Sequence, residues 1–125
     1  GIGITPFRSM ILDNYHRGME TPLTLLYSNK TAETAAFHSF FTRMIKDFPA
    51  LNYVPTLTET NIHHNDWNGE KRILDEKFVR DYVNDLTVPV YYISGPPAMV
   101  TDLTDMLNQL GVSDNDIKSE SFYGY

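Results

Sequence analysis

The chain has 125 residues, a mass of 14.3 kDa, a 42% hydrophobic and 13% aromatic composition, and 16 acidic against 10 basic side chains. That length suits one domain with a real core, and the net charge of −6 argues against a nucleic-acid partner, although a local basic cluster can still hold a phosphate. Absence of cysteine removes disulfides, thiolate clusters and a cysteine nucleophile, which suits a reducing cytoplasm, and no apolar run approaches the roughly 20 residues of a membrane-spanning helix.

Helical periodicity begins after Pro6, where Phe7, Met10, Ile11 and Tyr15 fall at i, i+3, i+4 and i+8. Thr5 is the expected N-cap, Pro6 the first-turn residue and Gly18 the stop. Leu23 to Tyr27, apolar apart from Thr24, reads as a strand buried on both faces. Phe37, Phe40, Phe41, Met44, Ile45 and Phe48 keep helical spacing up to Pro49, and Tyr53 to Leu57 reads as a second strand. From Thr58 to Lys71 the composition turns polar and predicts a long, exposed and mobile loop. Phe78, Val79, Tyr82, Val83 and Leu86 predict a further helix, and Val88 to Ile93 a strand with Pro89 at its start. Val100, Leu103, Met106, Leu107 and Leu110 predict the last helix, closed by Gly111, before a final strand over Ile117 to Phe122. This alternation predicts an α/β fold, a doubly wound parallel sheet that binds ligands at the carboxyl ends of its strands, within a single domain over residues 1–125.

Three stretches fall where such a fold does chemistry. Gly1-Ile2-Gly3-Ile4-Thr5-Pro6 leads into the first helix, where glycines admit close approach of a pyrophosphate and a helix N-terminus offers N–H groups; an ordinary tight turn is the plainer alternative. Ser94-Gly95-Pro96-Pro97-Ala98-Met99 joins the most strand-like run to the last helix, either as a second ligand loop or as a bare connection. Ser28, Asn29, Lys30 and Thr31 follow the first strand at the usual ribose position, with groups able to bind hydroxyls or a 2′-phosphate; a helix-capping turn using Thr31 and Glu33 also accounts for them. No acidic residue there marks NAD and no arginine marks NADP. His63 and His64 beside Asp66 lack further spaced ligands, so no metal site is expected. No Gly-x-Ser-x-Gly elbow supports a serine hydrolase, and Trp67 is left open between loop anchor and core cover.

Taken together, Gly1 to Phe7, Leu26 to Thr31, Tyr92 to Met99 and the ending Ser119 to Tyr125 make the chain resemble the C-terminal nucleotide domain of the ferredoxin–NADP reductase superfamily, of the bacterial and archaeal FAD-dependent type. The resemblance covers essentially the whole chain. It implies a Rossmann-like domain binding NADH or NADPH, with FAD on an upstream barrel domain that the chain lacks, hydride passing from nicotinamide to flavin, and electrons leaving to an unknown acceptor. It also implies that Gly1, Gly3, Thr5, Pro6, Gly95, Pro96, Pro97 and Met99 flank the cofactor and that Ser28, Asn29 and Lys30 hold the ribose. Phe122 and Tyr125 would face the flavin, and Thr5 and Ser94 would stand at the reacting end; many relatives carry cysteine where this chain has Ser94. The Asn-Lys-Thr turn favours NADH. The family's first strand should precede Gly1, so the expectation is an N-terminally truncated sheet whose flanking strands either pair directly or are completed by a partner chain, a homo-oligomer among the options. A non-catalytic sensor or electron-transfer subunit domain that binds a partner protein is the alternative; a flavodoxin-like or receiver domain shares the alternation but leaves the Gly-Pro loop unexplained.

Overall fold

The computed structural model describes residues 2–59 and 67–121 of the chain. They fall into two compact units, Gly3–Leu74 and Asp75–Tyr125, each built around one strand-helix-strand crossover.

A 3-10 turn, Ile2–Ile4, runs without a break into helix α1 of the first unit, Thr5–His16. Thr5 is therefore the first helical residue and not the N-cap; Ile4 holds that place, and it offers no side-chain bond. Pro6 sits in the first turn, where its missing N–H costs nothing, and Gly18 takes the left-handed φ of 68° that ends the segment. Strand β1, Leu23–Asn29, pairs in parallel with β2, Leu51–Leu57, from Leu23↔Leu51 to Asn29↔Leu57. Parallel neighbours need a crossover, here supplied by helix α2, His38–Asp47. β1 does not bury both faces as expected: Leu25 and Tyr27 are buried, Leu23 and Leu26 only partly, and Thr24 is exposed. Phe41, fully buried, centres a core with Ile4, Ile11, Leu25, Tyr27, Met44, Phe48 and Leu51. Its ring lies 5.2 Å from that of Tyr53 and 6.5 Å from that of Tyr27, tilted and edge-on respectively.

Two expectations for α2 are corrected. Phe37 does not join the buried stripe; it precedes the helix in a left-handed conformation, φ 62°, with its ring 42% exposed. Ile45 also faces out, because the six apolar positions span a wider arc than the core covers. The polar segment after β2 is also less free than its composition suggests. Residues 60–66 lie outside the described set, but residues 67–72 are tied to β2. Glu70 N–H donates to Pro55 O at 2.9 Å and Leu57 N–H to Glu70 O at 3.0 Å. The buried Thr56 hydroxyl donates to Arg72 O at 2.6 Å and accepts from Arg72 N–H at 3.1 Å. Gly69 makes this possible: a Cβ there would stand 2.6 Å from Pro55 O and 2.9 Å from Trp67 Nε1.

The second unit holds α3, Glu76–Tyr82, β3, Tyr91–Gly95, α4, Pro97–Gln109, and β4, Ile117–Ser121. Asp75 caps α3 by accepting from Phe78 N–H at 3.0 Å. The helix stops earlier than its apolar spacing predicts, at Val83, whose backbone is extended. β3 starts later than expected, leaving Val88 and Val90 exposed outside it. Asp85 accepts from the Thr87 N–H and hydroxyl in a turn, and Pro89 constrains Val88, so the run cannot extend before Tyr91. β3 and β4 pair in parallel from Tyr91↔Ile117 to Gly95↔Ser121, with α4 as the crossover. Gly111 closes α4 at φ 95°, as its place in the sequence predicts, and Phe78, Val79, Leu86, Ile93, Val100, Leu107 and Val112 are buried. The parallel α/β plan holds. Among the described residues the strands form two two-stranded sheets, β1 with β2 and β3 with β4.

Candidate functional site

The residues singled out in the sequence fall at the carboxyl ends of strands and at the starts of helices, in both units. Gly1, Phe122 and Tyr125 lie outside the described residues, as do His63, His64 and Asp66. Among the described residues no three His, Cys, Asp or Glu side chains gather into a metal-binding group.

In the first unit, Gly3 is buried within the 3-10 turn, Thr5 is exposed on the first turn of α1, and Pro6 is half-buried beside it. The glycine turn is therefore wound and helical, not an open loop. Ser28 and Asn29 end β1 and Lys30 follows in a bend; their backbone is fixed where Asn29 O accepts from Thr58 N–H at 2.9 Å and Lys30 O from Glu59 N–H at 3.1 Å. Thr31 is used locally, in a capping box with Thr34, whose hydroxyl accepts from Thr31 N–H at 3.4 Å and donates to Thr31 O at 2.9 Å; the capping turn weighed for Thr31 and Glu33 is thus built with Thr34 as the box partner. The side chains of Ser28, Asn29 and Lys30 make no hydrogen bond or ion pair with the described residues and remain available to a ligand.

In the second unit, Ser94 and Gly95 end β3, Pro96 is the extended residue before α4, Pro97 opens the helix and Met99 lies in its first turn. The Ser94 hydroxyl is buried with no hydrogen-bond partner. A desolvated hydroxyl left unpaired costs about 1–3 kcal/mol, which a hydrogen bond from a ligand or a water would recover. Gly95 is buried, and the Met99 methyl occupies the space a Cβ would take. That space is filled by the flexible thioether of Met99 from the first turn of α4.

Two clusters in the first unit were missed in the sequence. His38, the first residue of α2, sits in an aromatic group: its Nδ1 is 2.7 Å from the Tyr53 hydroxyl and its ring 4.7 Å from that of Trp67. Trp67 Nε1–H donates to Glu70 O at 2.9 Å, so this residue, left open in the sequence, anchors the segment beside β2. Burial lowers the His38 pKa below 6.5 and raises that of the Tyr53 phenol, with Tyr27 adding to the latter, so both are neutral near pH 7. In the second cluster, the Arg8 guanidinium lies 4.8 Å from the centre of the Phe40 ring and 5.0 Å from that of Phe37. Its Nε is buried without a partner. Contacts of this kind contribute about 0.5–2 kcal/mol each, and the left-handed backbone of Phe37 costs about 1–2 kcal/mol against them. The sequence did carry a signal for this cluster: Ile4, Arg8 and Ile11 share one stripe of α1 at i, i+4 and i+7, and both isoleucines are buried.

In the first unit the polar side chains ending β1 and the helix opened by the glycine turn, and in the second the buried Ser94 hydroxyl ending β3, each lie at a strand end or a helix start and carry groups able to bond part of a nucleotide. Comparison with known proteins agrees. Residues 1–105 match the model of the oxidoreductase NAD-binding domain. A subunit of the Na(+)-translocating NADH-quinone reductase of Klebsiella pneumoniae is 26% identical over 99% of this chain and 31% of its own length. The phenol hydroxylase P5 protein of Acinetobacter pittii is 25% identical over 98% of this chain and 34% of its own. The chain thus spans about a third of the length of these curated relatives. Among solved structures, the CS-b5R domains of human Ncb5or superpose with a TM-score of 0.79 at 22% identity, covering 95% of this chain and 34% of that one. The flavohem-like FAD/NAD-binding domain of nitric oxide dioxygenase from Vibrio cholerae gives 0.77 at 19% identity, over 98% of this chain and 48% of that one. By the match over residues 1–105, with which its fold agrees, this chain belongs to the oxidoreductase NAD-binding domain family.

Proposed function

We propose that this chain is the nicotinamide-nucleotide half of a flavin-dependent oxidoreductase, taking NADH in preference to NADPH and delivering electrons through FAD on a separate domain to a further acceptor. The observation that carries this reading is the buried, unpartnered Ser94 hydroxyl at the end of β3, immediately before the Gly-Pro loop. When bound, the reduced nicotinamide supplies a hydride to the flavin, and no protein acid or base is required for that transfer.

The chain's own residues position and shield. Ser94 offers a fixed hydrogen bond to a polar group of the nicotinamide end, Gly95 allows close backbone approach once Met99 moves, and Pro96 and Pro97 hold the loop's shape. Ser28 and Asn29 fit ribose hydroxyls, and with no arginine beside them the turn suits NADH. Gly1, Gly3, Thr5 and Pro6 are assigned to the pyrophosphate side, and Phe122 and Tyr125 to the flavin side. A cytoplasmic setting goes with this reading, because reduced nicotinamide nucleotides are kept there. A second copy of the chain that adds a strand to either sheet, each two-stranded among the described residues, also goes with this reading.

The test is anaerobic rapid mixing of the intact flavin-loaded protein with NADH or NADPH, following the flavin absorbance. Rapid bleaching by NADH, and slower or weaker bleaching by NADPH, is expected. A flavin that stays oxidised with both would remove the proposal in favour of a domain that binds a partner without catalysis.

A further inference from the structure

We propose that Arg8 is an anion-binding residue of the nucleotide site, its guanidinium holding the 5′-diphosphate of the bound nucleotide from a platform made by Phe37 and Phe40. The inference rests on the nucleotide reading above.

Arginine is rare on a buried helical stripe unless it is paired, yet Arg8 lies between Ile4 and Ile11 on the stripe that α1 turns inward. The chain has an excess of carboxylates and uses them elsewhere. Arg17 pairs with Asp13, Arg72 with Glu70 and Arg80 with Glu76, while Arg43 is exposed to water. Arg8 is half-buried and meets no carboxylate among the described residues. Its guanidinium rests instead on the two aromatic faces, and its Nε is buried without an acceptor. Aromatic faces hold a guanidinium flat without consuming its donors, so the fork stays directed and unpaired.

The backbone of the platform is unusual as well. Phe37 is the one non-glycine residue among those described with positive φ, and it is an exposed phenylalanine immediately before α2. Strain retained at an exposed aromatic fits a ligand clamp better than it fits packing. The location selects the ligand. Arg8 lies in the first turns of α1, the helix that the glycine turn opens, and in doubly wound folds that is where a pyrophosphate is bound. A planar guanidinium matches phosphate oxygens two at a time. The adenosine 2′-position belongs instead to the turn after β1, where the Lys30 side chain is exposed and unpaired.

The test is calorimetric titration of the intact protein with NADH, NADPH, ADP and adenosine, in the unaltered chain, in Arg8→Met, in Arg8→Lys and in the control Arg43→Met. Charge-assisted bonds to phosphate predict that Arg8→Met weakens ADP, NADH and NADPH alike by about ten- to a hundredfold, that Arg8→Lys recovers part of this, and that adenosine and the control change little. Should Arg8→Met fold poorly, the Arg8 Nε–H resonance of the unaltered protein provides the same answer: it should shift with ADP and not with adenosine. Equal affinities in Arg8→Met and the unaltered chain, or an unmoved resonance, would overturn the proposal. So would a loss confined to NADPH, which would move Arg8 to the 2′-phosphate. An unaltered chain that binds none of the three phosphorylated ligands would instead overturn the nucleotide reading on which it stands.

Discussion

Both halves of the chain are built as strand, crossover helix and parallel strand, but they differ in where their polar groups are satisfied. In the first, β1 and β2 pair over seven residues, Phe41 and its aromatic neighbours fill the core, and residues 67–72 complete the hydrogen bonds of β2 down to the buried Thr56. In the second, β3 and β4 pair over five residues, β4 is exposed beyond Ile117, and both Ser94 and Thr104 bury a hydroxyl without a partner. One plan thus yields in the first unit a strand whose outer edge is bonded by residues 67–72, while each unit keeps a buried polar atom in want of a partner, Arg8 Nε in the first and the Ser94 hydroxyl in the second. In the proposed reading the bonded edge of β2 stiffens the ribose turn of the first unit, and Ser94 of the second gains its missing bond from the nicotinamide end.

The largest effect should come from the frame. Phe41→Ala removes a fully buried ring and should cost about 3–5 kcal/mol in chemical denaturation; a loss under about 1 kcal/mol would mean the aromatic cluster is not the core of its unit. Gly69→Ala comes next, and its sign is informative. At an open site that change stabilises by about 0.4–1 kcal/mol through the unfolded chain, whereas here the clash with Pro55 O should destabilise by about 2–3 kcal/mol. A gain in melting temperature would show that residues 67–72 do not lie along β2.

Two smaller changes separate the orphan hydroxyls. Ser94→Ala and Thr104→Val each remove a buried unpaired group and should raise the stability of the free protein by about 1 kcal/mol. Only Ser94→Ala should also weaken nucleotide binding, by roughly tenfold, since Thr104 lies further along α4. Equal nucleotide affinity in the two variants would separate Ser94 from the site. The smallest effect belongs to His38. Its folded pKa is depressed by burial, so on acidification the unfolded chain takes up the proton first, and stability falls as pH drops below about 6.5. In urea titrations at pH 7.5 and 5.5, His38→Asn should reduce this pH dependence; an unchanged slope would show that burial does not hold the imidazole neutral.

Much of the frame is legible from local patterns. The Gly111 stop, the Pro6 start and the parallel alternation follow from backbone rules that act within a few residues. Misreadings arise where a non-local or competing turn decides. Val88 and Val90 look like strand, but the Asp85–Thr87 turn and Pro89 hold them out of it. Phe37 fits the helical spacing of α2 and still lies outside it, because spacing carries no information about a left-handed residue. In the site, the glycine and Gly-Pro segments are visible as motifs, whereas Arg8 is not. Its meaning depends on two rings that come from α2 and its N-terminal turn, some thirty residues away.

The central claim is a preserved nicotinamide-nucleotide site that prefers NADH, and the most direct test is titration calorimetry of the protein with NADH and with NADPH at low salt. Saturable binding of both with NADH the tighter is the expected result. Heats of dilution alone with either nucleotide would contradict the account.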